Sequence, residues 1–467
     1  MPSLGDSFNA AAHSLDTYEQ AIQVVSNNTT NATTPNFANQ RPEFVADSFT
    51  PSGGGGGGVS MGAVLSSRDE YAEQSVQGAQ SAQTYSATIA TQLQHVEGFF
   101  SLTTASSTST SASGGGVGGM LNNLMSAFSN LTTGPNDTAN RQAVLNAAGN
   151  LASAFNTTYD SLTGVQKDVT NQAQDAVENI NSLVSRIQQI NVAKQHNASV
   201  GRDAGVDAEL HSDLEKLSQL TNITTQTATD GTTSIFLGGR TPLLIGVDQD
   251  SLSASQVNGN LVVSDSTGAN VSTYASSGKL AALVTLANQT VPGYVTQLNT
   301  LAQGIADTIN TKLAAGVDQH NAAGAPLFSY NALAPAQTLT VAMTDPAKIA
   351  AASASAPGGN DNAVALSTIA EVPQASLSNF TFVGYYGNLT SVIGTDSANA
   401  QAEQTTNQQL LSQTETLRSN VSAVSLDQEA AQLTEYQQAY DATSRLVNVI
   451  DQMMQSILNM LPISGAA

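Results

Sequence analysis

The sequence predicts a mainly α-helical protein with a smaller β part: terminal helices that form a coiled coil, and a central helical-bundle domain carrying a small strand module. Three observations predict it. Both ends carry heptad stripes, long Ala/Gln/Asn/Leu runs at helical period follow the first of them, and one stretch, 221–275, carries hairpin turn signals instead.

The N-terminal stripe runs Leu4, Phe8, Ala11, Leu15, Tyr18, Ile22, Val25, in alternating steps of four and three. At the other end Leu426, Glu429, Leu433, Tyr436, Tyr440, Thr443, Val447, Ile450, Met454, Ile457 and Leu461 repeat that alternation, with only Glu429 and Thr443 breaking its apolar character. Ser425 is the expected N-cap, with Asp427 and Glu429 in the electropositive first turn. A helix from there to Leu461 spans about 50 Å. Neither amphipathic helix buries its stripe alone, so each needs a partner helix, in the same molecule or in a neighbour. Faces carrying Asn27, Asn28, Gln437 and Gln438 rather than Lys or Arg suggest that the second face is covered too, which favours assembly.

Between the ends, Gly53 to Gly58 and the patch Gly114, Gly115, Gly116, Gly118, Gly119 are expected as flexible connections; neither has the nearby Lys of a phosphate-binding loop. Helices are expected over 66–100, 120–131, 138–195 (with Val177, Ile180, Leu183, Val184, Ile187 and Ile190 on one face) and 206–220. Asp230-Gly231 and Asn258-Gly259 mark the turns of the strand module. Helix returns near 278–316, Leu339-Thr340-Val341 reads as a strand, and a last helix covers 396–419. The expected domains are a discontinuous terminal coiled coil (1–40 and 418–467), a Gly-rich linker (41–65) and a mostly helical domain (66–417), which the family resemblance given below makes the inner and the outer domain.

The chain has 467 residues, 14 Lys+Arg against 36 Asp+Glu, and only 11% charged residues. A formal charge of -22 argues against DNA and anionic lipid as partners. Cys is absent, so thiol chemistry and Cys-based metal sites are excluded. No apolar run approaches the roughly 18 residues of a membrane span. The first Lys or Arg is Arg41, so a secretory signal is not expected. Triplets such as Asn28-Thr29-Thr30 and Asn222-Ile223-Thr224 are read as chance in so Asn- and Thr-rich a chain.

Catalytic motifs are weak. His13, His95, His196, His211 and His320 are scattered, without a metal-binding pair at helical spacing. Asp248-Gln249-Asp250 lacks the rest of a calcium loop, and Asp69-Glu70 and Asp175/Glu178 read as surface charge. Gly58-Val59-Ser60-Met61-Gly62 matches the letters of a nucleophile elbow, but six glycines stand where the buried strand belongs. No catalytic, cofactor-binding or metal-binding residue is expected, and the protein is not expected to be an enzyme.

The run Ser26-Asn27-Asn28-Thr29-Thr30-Asn31-Ala32-Thr33-Thr34-Pro35-Asn36-Phe37-Ala38-Asn39-Gln40 is similar to a run shared by flagellar axial proteins, Asn36 standing where that group has Gly. The C-terminal stretch Ser425 to Leu433, with Gln437-Gln438-Ala439-Tyr440, Arg445 and Asp451-Gln452-Met453, is shared by the same group. The middle is more selective. Ser277-Gly278-Lys279-Leu280, Val291-Pro292-Gly293-Tyr294, Leu298, Leu301-Ala302, Ile305-Ala306, Ile309-Asn310, Pro326-Leu327-Phe328, Asp345-Pro346, Asp361-Asn362 and Phe380-Thr381, with Arg68, Phe128, Pro135 and Arg141 upstream, resemble the flagellar hook-associated protein 1 family in order and spacing.

The resemblance implies a structural junction protein of the bacterial flagellum. It implies a ring-like homo-oligomer on the hook protein that offers a platform to the second hook-filament junction protein and then to the filament. It also implies export through the flagellar type III apparatus, a cytoplasmic export chaperone on the C-terminal helix, and a final location outside the cell. The assembly residues expected are Leu4, Phe8, Leu15, Tyr18, Ile22, Val25, Asn27, Asn28, Asn31, Thr34, Pro35, Leu426, Leu433, Tyr436, Tyr440, Val447, Ile450, Met454, Ile457 and Leu461. A hook or rod protein is the alternative within the structural class. An extracellular hydrolase displayed on the flagellum, with 221–275 as its only candidate region, is the alternative from another class.

Overall fold

The computed structural model describes residues 4–50, 55–100, 116–197 and 200–460. Its helices are α1 (Leu4–Thr30), α2 (Glu70–Phe99), α3 (Gly116–Thr133), α4 (Thr138–His196), α5 (Ala204–Leu220), α6 (Gly278–Thr285), α7 (Val291–Ala314), α8 (Pro335–Thr338), α9 (Asp361–Ser367), α10 (Phe382–Ser422) and α11 (Leu426–Met460), with a π-helical turn, Leu286–Thr290, between α6 and α7. Its strands are β1 (Gln40–Ala46), β2 (Phe49–Thr50), β3 (Gly55–Gly56), β4 (Val59–Ser66), β5 (Ile223–Thr227), β6 (Thr233–Leu237), β7 (Thr241–Ile245), β8 (Asp248–Gln249), β9 (Ser253–Val257), β10 (Asn260–Ser264), β11 (Gly316–Val317), β12 (Phe328–Ser329), β13 (Thr340–Val341) and β14 (Ala352–Ser353). The mainly helical class with a small β part holds. Contacts divide the chain into two compact units: Met1–Gln80, Asn181–Asp250 and Gln409–Ala467 form one, Ser81–Ile180 and Ser251–Gln408 the other. These boundaries fall elsewhere than those drawn from the sequence.

In the first unit, the stretch expected as a linker (41–65) instead forms paired strands. β1 and β4 run antiparallel, Gln40 opposite Ser66 and Ala46 opposite Val59, with a register shift between Pro42 and Phe44. Strand pairing satisfies backbone groups that an open glycine linker would leave to water. Part of the poly-Gly run, Gly53 and Gly54, lies outside the described residues, as do Gly114 and Gly115. Gly58, at φ +121, needs its missing side chain, because a Cβ there would stand 3.2 Å from the Ala10 carbonyl oxygen of α1. The strand module starts here as well: β5 to β8 form a four-stranded antiparallel sheet, and Ile235, Leu237, Leu243 and Leu244 are buried. Asn191 of α4, fully buried, ties that sheet by donating to the Thr233 and Gly246 carbonyls (2.8 and 2.6 Å) and accepting from the Thr233 amide.

The second unit is built on a helical core in which Leu121, Leu124, Phe128, Leu131, Leu151, Phe155 and Leu162 are fully buried. The hairpin β9–β10 belongs to it, so the expected module 221–275 is two separate pieces. Polar side chains, Arg141 buried and Asn310 half-buried, fasten its irregular segments. Arg141 donates to the carbonyls of Pro135 (2.6 Å), Pro346 (3.1 Å) and Ile349 (2.7 Å). Asn310 donates to the Phe328 carbonyl and accepts from the amides of Leu327 and Phe328. Helix α10 begins at Phe382, well before the expected 396, because burial of Phe382, Leu389 and Ile393 outweighs the helix-weakening glycines Gly384, Gly387 and Gly394.

Candidate assembly surface

Both terminal helices belong to the first unit, and they pack against each other. They run antiparallel: Asn28 near the end of α1 meets Glu429 at the start of α11 (3.0 Å), while Leu4 shares a surface cleft with Val449, Met453 and Ile457. On α11 the predicted stripe does face inward, with Glu429 and Ile450 buried and Leu433, Tyr436, Thr443, Val447 and Met454 half-buried. Leu426 and Ile457 of that stripe are exposed, Tyr440 lies at the margin, and Leu461 is outside the described residues. Ser425 precedes α11, and Asp427 and Glu429 occupy its first turn as expected.

On α1 the buried face is shifted from the predicted stripe. It consists of Ala11, Ser14, Thr17, Ala21, Val25 and Asn28, whereas Leu4, Phe8, Leu15, Tyr18 and Ile22 remain half-exposed. The cause is the unforeseen hairpin. The small face lies under β4, where the Ser14 hydroxyl accepts the Val59 amide (3.2 Å) and the Thr17 hydroxyl donates to the Val59 carbonyl (3.1 Å). Phe44 of β1 then stands between Tyr18 and Tyr436, with ring centroids 6.0 and 5.5 Å apart.

The end of α1 closes with a polar knot. Asn28, fully buried, donates to the Asn39 side chain (2.9 Å), the Gln40 carbonyl (2.8 Å) and Glu429, and accepts from the Gln40 amide (3.0 Å). Asn27, Thr34 and Pro35 are exposed; Asn31 bonds Asn27 and Thr34, which shapes the turn that follows. Asn36 adopts φ +61, the left-handed conformation that Asn tolerates better than other non-glycine residues, so it fills the place of the related group's Gly.

Beside this knot lies a partly buried charge cluster with Glu73 at its buried centre. Arg68 pairs with Glu73 and Asp207 and donates to the Asn36 carbonyl (2.6 Å); Arg418 bridges Glu73 and Glu215 at 3.3 and 3.1 Å. His211 adjoins it, Nε2 3.6 Å from Asp207, on a cavity of about 280 Å³. Burial pushes its pKa down to about 4; Arg68 and Lys194 push the same way, while Asp207 and Glu73 oppose them. Among the described residues no group of three His, Asp or Glu side chains is placed to hold a metal. Ser60 sits in β4 with its hydroxyl on Asp47 (3.0 Å), as a strand residue.

What remains open is apolar. Leu446, Val449, Met453 and Ile457, 45% to 54% exposed, form a second row on α11 that shares Ile457 with the first and borders the cleft of Leu4 at its end. Leu410, Leu417 and Val421 are exposed on the α10 segment of this unit, and Phe44 and Leu65 on the hairpin. The second stripe was not singled out from the sequence, although Ala439, Ala442, Leu446, Val449 and Met453 also step by three and four. No helix among the described residues is long and apolar enough to cross a membrane.

Comparison with known proteins agrees with this arrangement. Residues 104–328 match the model of the flagellar hook-associated protein FlgK helical domain, and residues 418–460 that of the flagellar basal body rod FlgEFG protein C-terminal region. Flagellar hook-associated protein 1 of Bacillus subtilis is 23% identical, with 97% of this chain and 98% of that protein aligned. The chain is similar to flagellar hook-associated protein 1 along nearly its whole length. The Salmonella typhimurium protein of that name is 22% identical over 69% of this chain and 59% of its own length. The flagellar hook junction protein FlgK from Burkholderia pseudomallei has the same fold, with a TM-score of 0.65 at 15% identity over 74% of this chain and all of that one. The family is structural and not enzymatic, and its place is the flagellum. Three of the residues that carried the family resemblance, Arg68, Arg141 and Asn310, are the fasteners described above.

Proposed function

We propose that the protein polymerises at the hook tip as a ring of identical subunits and offers there the platform for the second junction protein and for filament assembly. The terminal segments 1–40 and 418–467 form the tube-lining part. Before assembly the chain is exported through the flagellar type III apparatus, its C-terminal helix held by a cytoplasmic chaperone. The observation that carries this reading is the row Leu446, Val449, Met453 and Ile457 of α11, which stays about half exposed although its end borders the cleft that holds Leu4 of α1. Four large apolar side chains in a row on a helix with one basic residue, Arg445, suit burial against a neighbouring subunit better than contact with water. The match over 418–460 is common ground with rod proteins, and the helical-domain match is what favours the junction over hook or rod.

The test is a full-length double variant, Leu446→Glu with Ile457→Glu, in a motile strain. The purified variant keeps the parent's helical circular dichroism, because both side chains are exposed, while cells lose filaments and shed flagellin into the medium. Normal filaments on variant cells overturn the proposal.

A further inference from the structure

We propose that Glu429, with Asn28, is a positioning pair that fixes the register of α11 against α1 and thereby aims the open stripe of α11. Its place is unusual. It is one of only two polar positions in an otherwise apolar heptad series, is 1% exposed, and has one carboxylate oxygen on the Asn28 amide and the other without a partner among the described residues. The carboxylate lies in the first turn of α11, where the helix N-terminus favours negative charge.

Neighbouring apolar contacts define register poorly. Asn28 meets Glu429 at one end, and at the other Leu4 shares a cleft with Val449, Met453 and Ile457, which sets Met453 about level with Leu4. A slide of one heptad would replace apolar or small side chains with similar ones along most of this length. It would also set Glu429 against Ala21 in one direction, or Asn28 against Tyr436 in the other. Either slide strands a carboxylate and a carboxamide in a dry interface, which is far costlier than the exchange of one apolar contact for another. A single buried polar pair therefore excludes the slipped pairings that the heptad pattern allows. Asn28 also holds Asn39 and Gln40, so the same contact sets where the chain leaves α1 for β1.

The absence of cysteine makes the test clean. Spin labels at Glu19→Cys and Gln438→Cys, both exposed and opposite each other in this register, report the pairing in the full-length chain. The parent and Glu429→Gln, which keeps the hydrogen-bonding shape, give one short distance. Glu429→Leu, and Asn28→Leu with Glu429→Leu, add a second distance displaced by one heptad, about 10 Å. The native distance alone in both leucine variants overturns the proposal. So does complete loss of a defined distance in both, because the pair then supplies binding strength rather than register. A parent chain without a defined distance overturns it as well.

Discussion

Acidification should weaken the first unit through His211 before the carboxylates of the chain are protonated in bulk. The ring is nearly buried among Asp207, Glu73, Lys194 and Arg68, and burial holds its pKa at about 4 against 6.5 for a free histidine. A base whose folded pKa is depressed binds its proton more readily in the unfolded chain, so stability is complete above pH 6.5 and declines as pH falls toward 4. The difference of two and a half pH units corresponds to about 3 kcal/mol in full, of which about 2 kcal/mol is gone by pH 5. Urea unfolding followed by circular dichroism at pH 7, 6 and 5 measures this for the parent and for His211→Gln, which cannot take the proton. The parent should lose about 2 kcal/mol more than the variant between pH 7 and pH 5. Parallel pH dependences for the two proteins refute the reasoning, since they would mean that His211 takes its proton as readily folded as unfolded.

Further expectations concern packing and buried charge. Arg68→Met leaves Asp207 without its cation and Glu73 with Arg418 alone, and should cost about 1–3 kcal/mol in urea unfolding, an unchanged stability contradicting the pairing. Phe155→Ala opens a cavity in the second unit's core and should cost about 3–5 kcal/mol by the same measurement, a loss below about 1 kcal/mol contradicting its full burial. Gly324→Ala forces a Cβ to 1.9 Å from the Leu313 carbonyl oxygen, which no rotamer relieves, and should lower the melting temperature sharply. Gly149→Ala meets nothing within 4 Å inside α4 and should raise stability by about 0.5–1 kcal/mol; a destabilised Gly149→Ala would show that the α4 surface is not as open as it stands.

The helices were legible wherever one apolar face repeats without competition. α4, α5 and α11 start and end within a few residues of their sequence signals, and Ser425 marks the start of α11. The hairpin was not legible, because its alternation is interrupted between Pro42 and Phe44 and a run of glycines precedes β4 in the sequence, which reads equally as linker. That one omission displaced the α1 prediction too. Large side chains pointed to Phe8, Leu15 and Ile22 as the buried stripe, but a face lying under a strand needs small residues, and Ala11, Ser14, Thr17 and Ala21 are the ones that let β4 approach. The Arg68 cluster joins residues more than 100 positions apart in sequence, from α2, α5 and α10, and no local pattern announces such a pairing.

The low charge of the chain and the open stripes have one physical explanation. A solvated helix resists association through its charged face, and α1 has no Lys or Arg while α11 has only Arg445. A polar surface of amides and hydroxyls can pass from water to a protein neighbour by exchanging hydrogen bonds, whereas each buried unpaired ion would cost several kcal/mol. Part of the charge is paired inside the subunit, as at Arg68, Glu73 and Arg418, or held at a helix terminus, as at Glu429, and the exposed remainder is mostly acidic. The outward face of α11 thus carries Leu446, Val449, Met453 and Ile457 among neutral polar groups and a few acids, Glu435, Asp441 and Asp451, with Arg445 as its one base. An α11 with one stripe against α1 and another against a neighbour is a helix with two interiors, and the sparseness of charge is what makes the second one affordable in free energy.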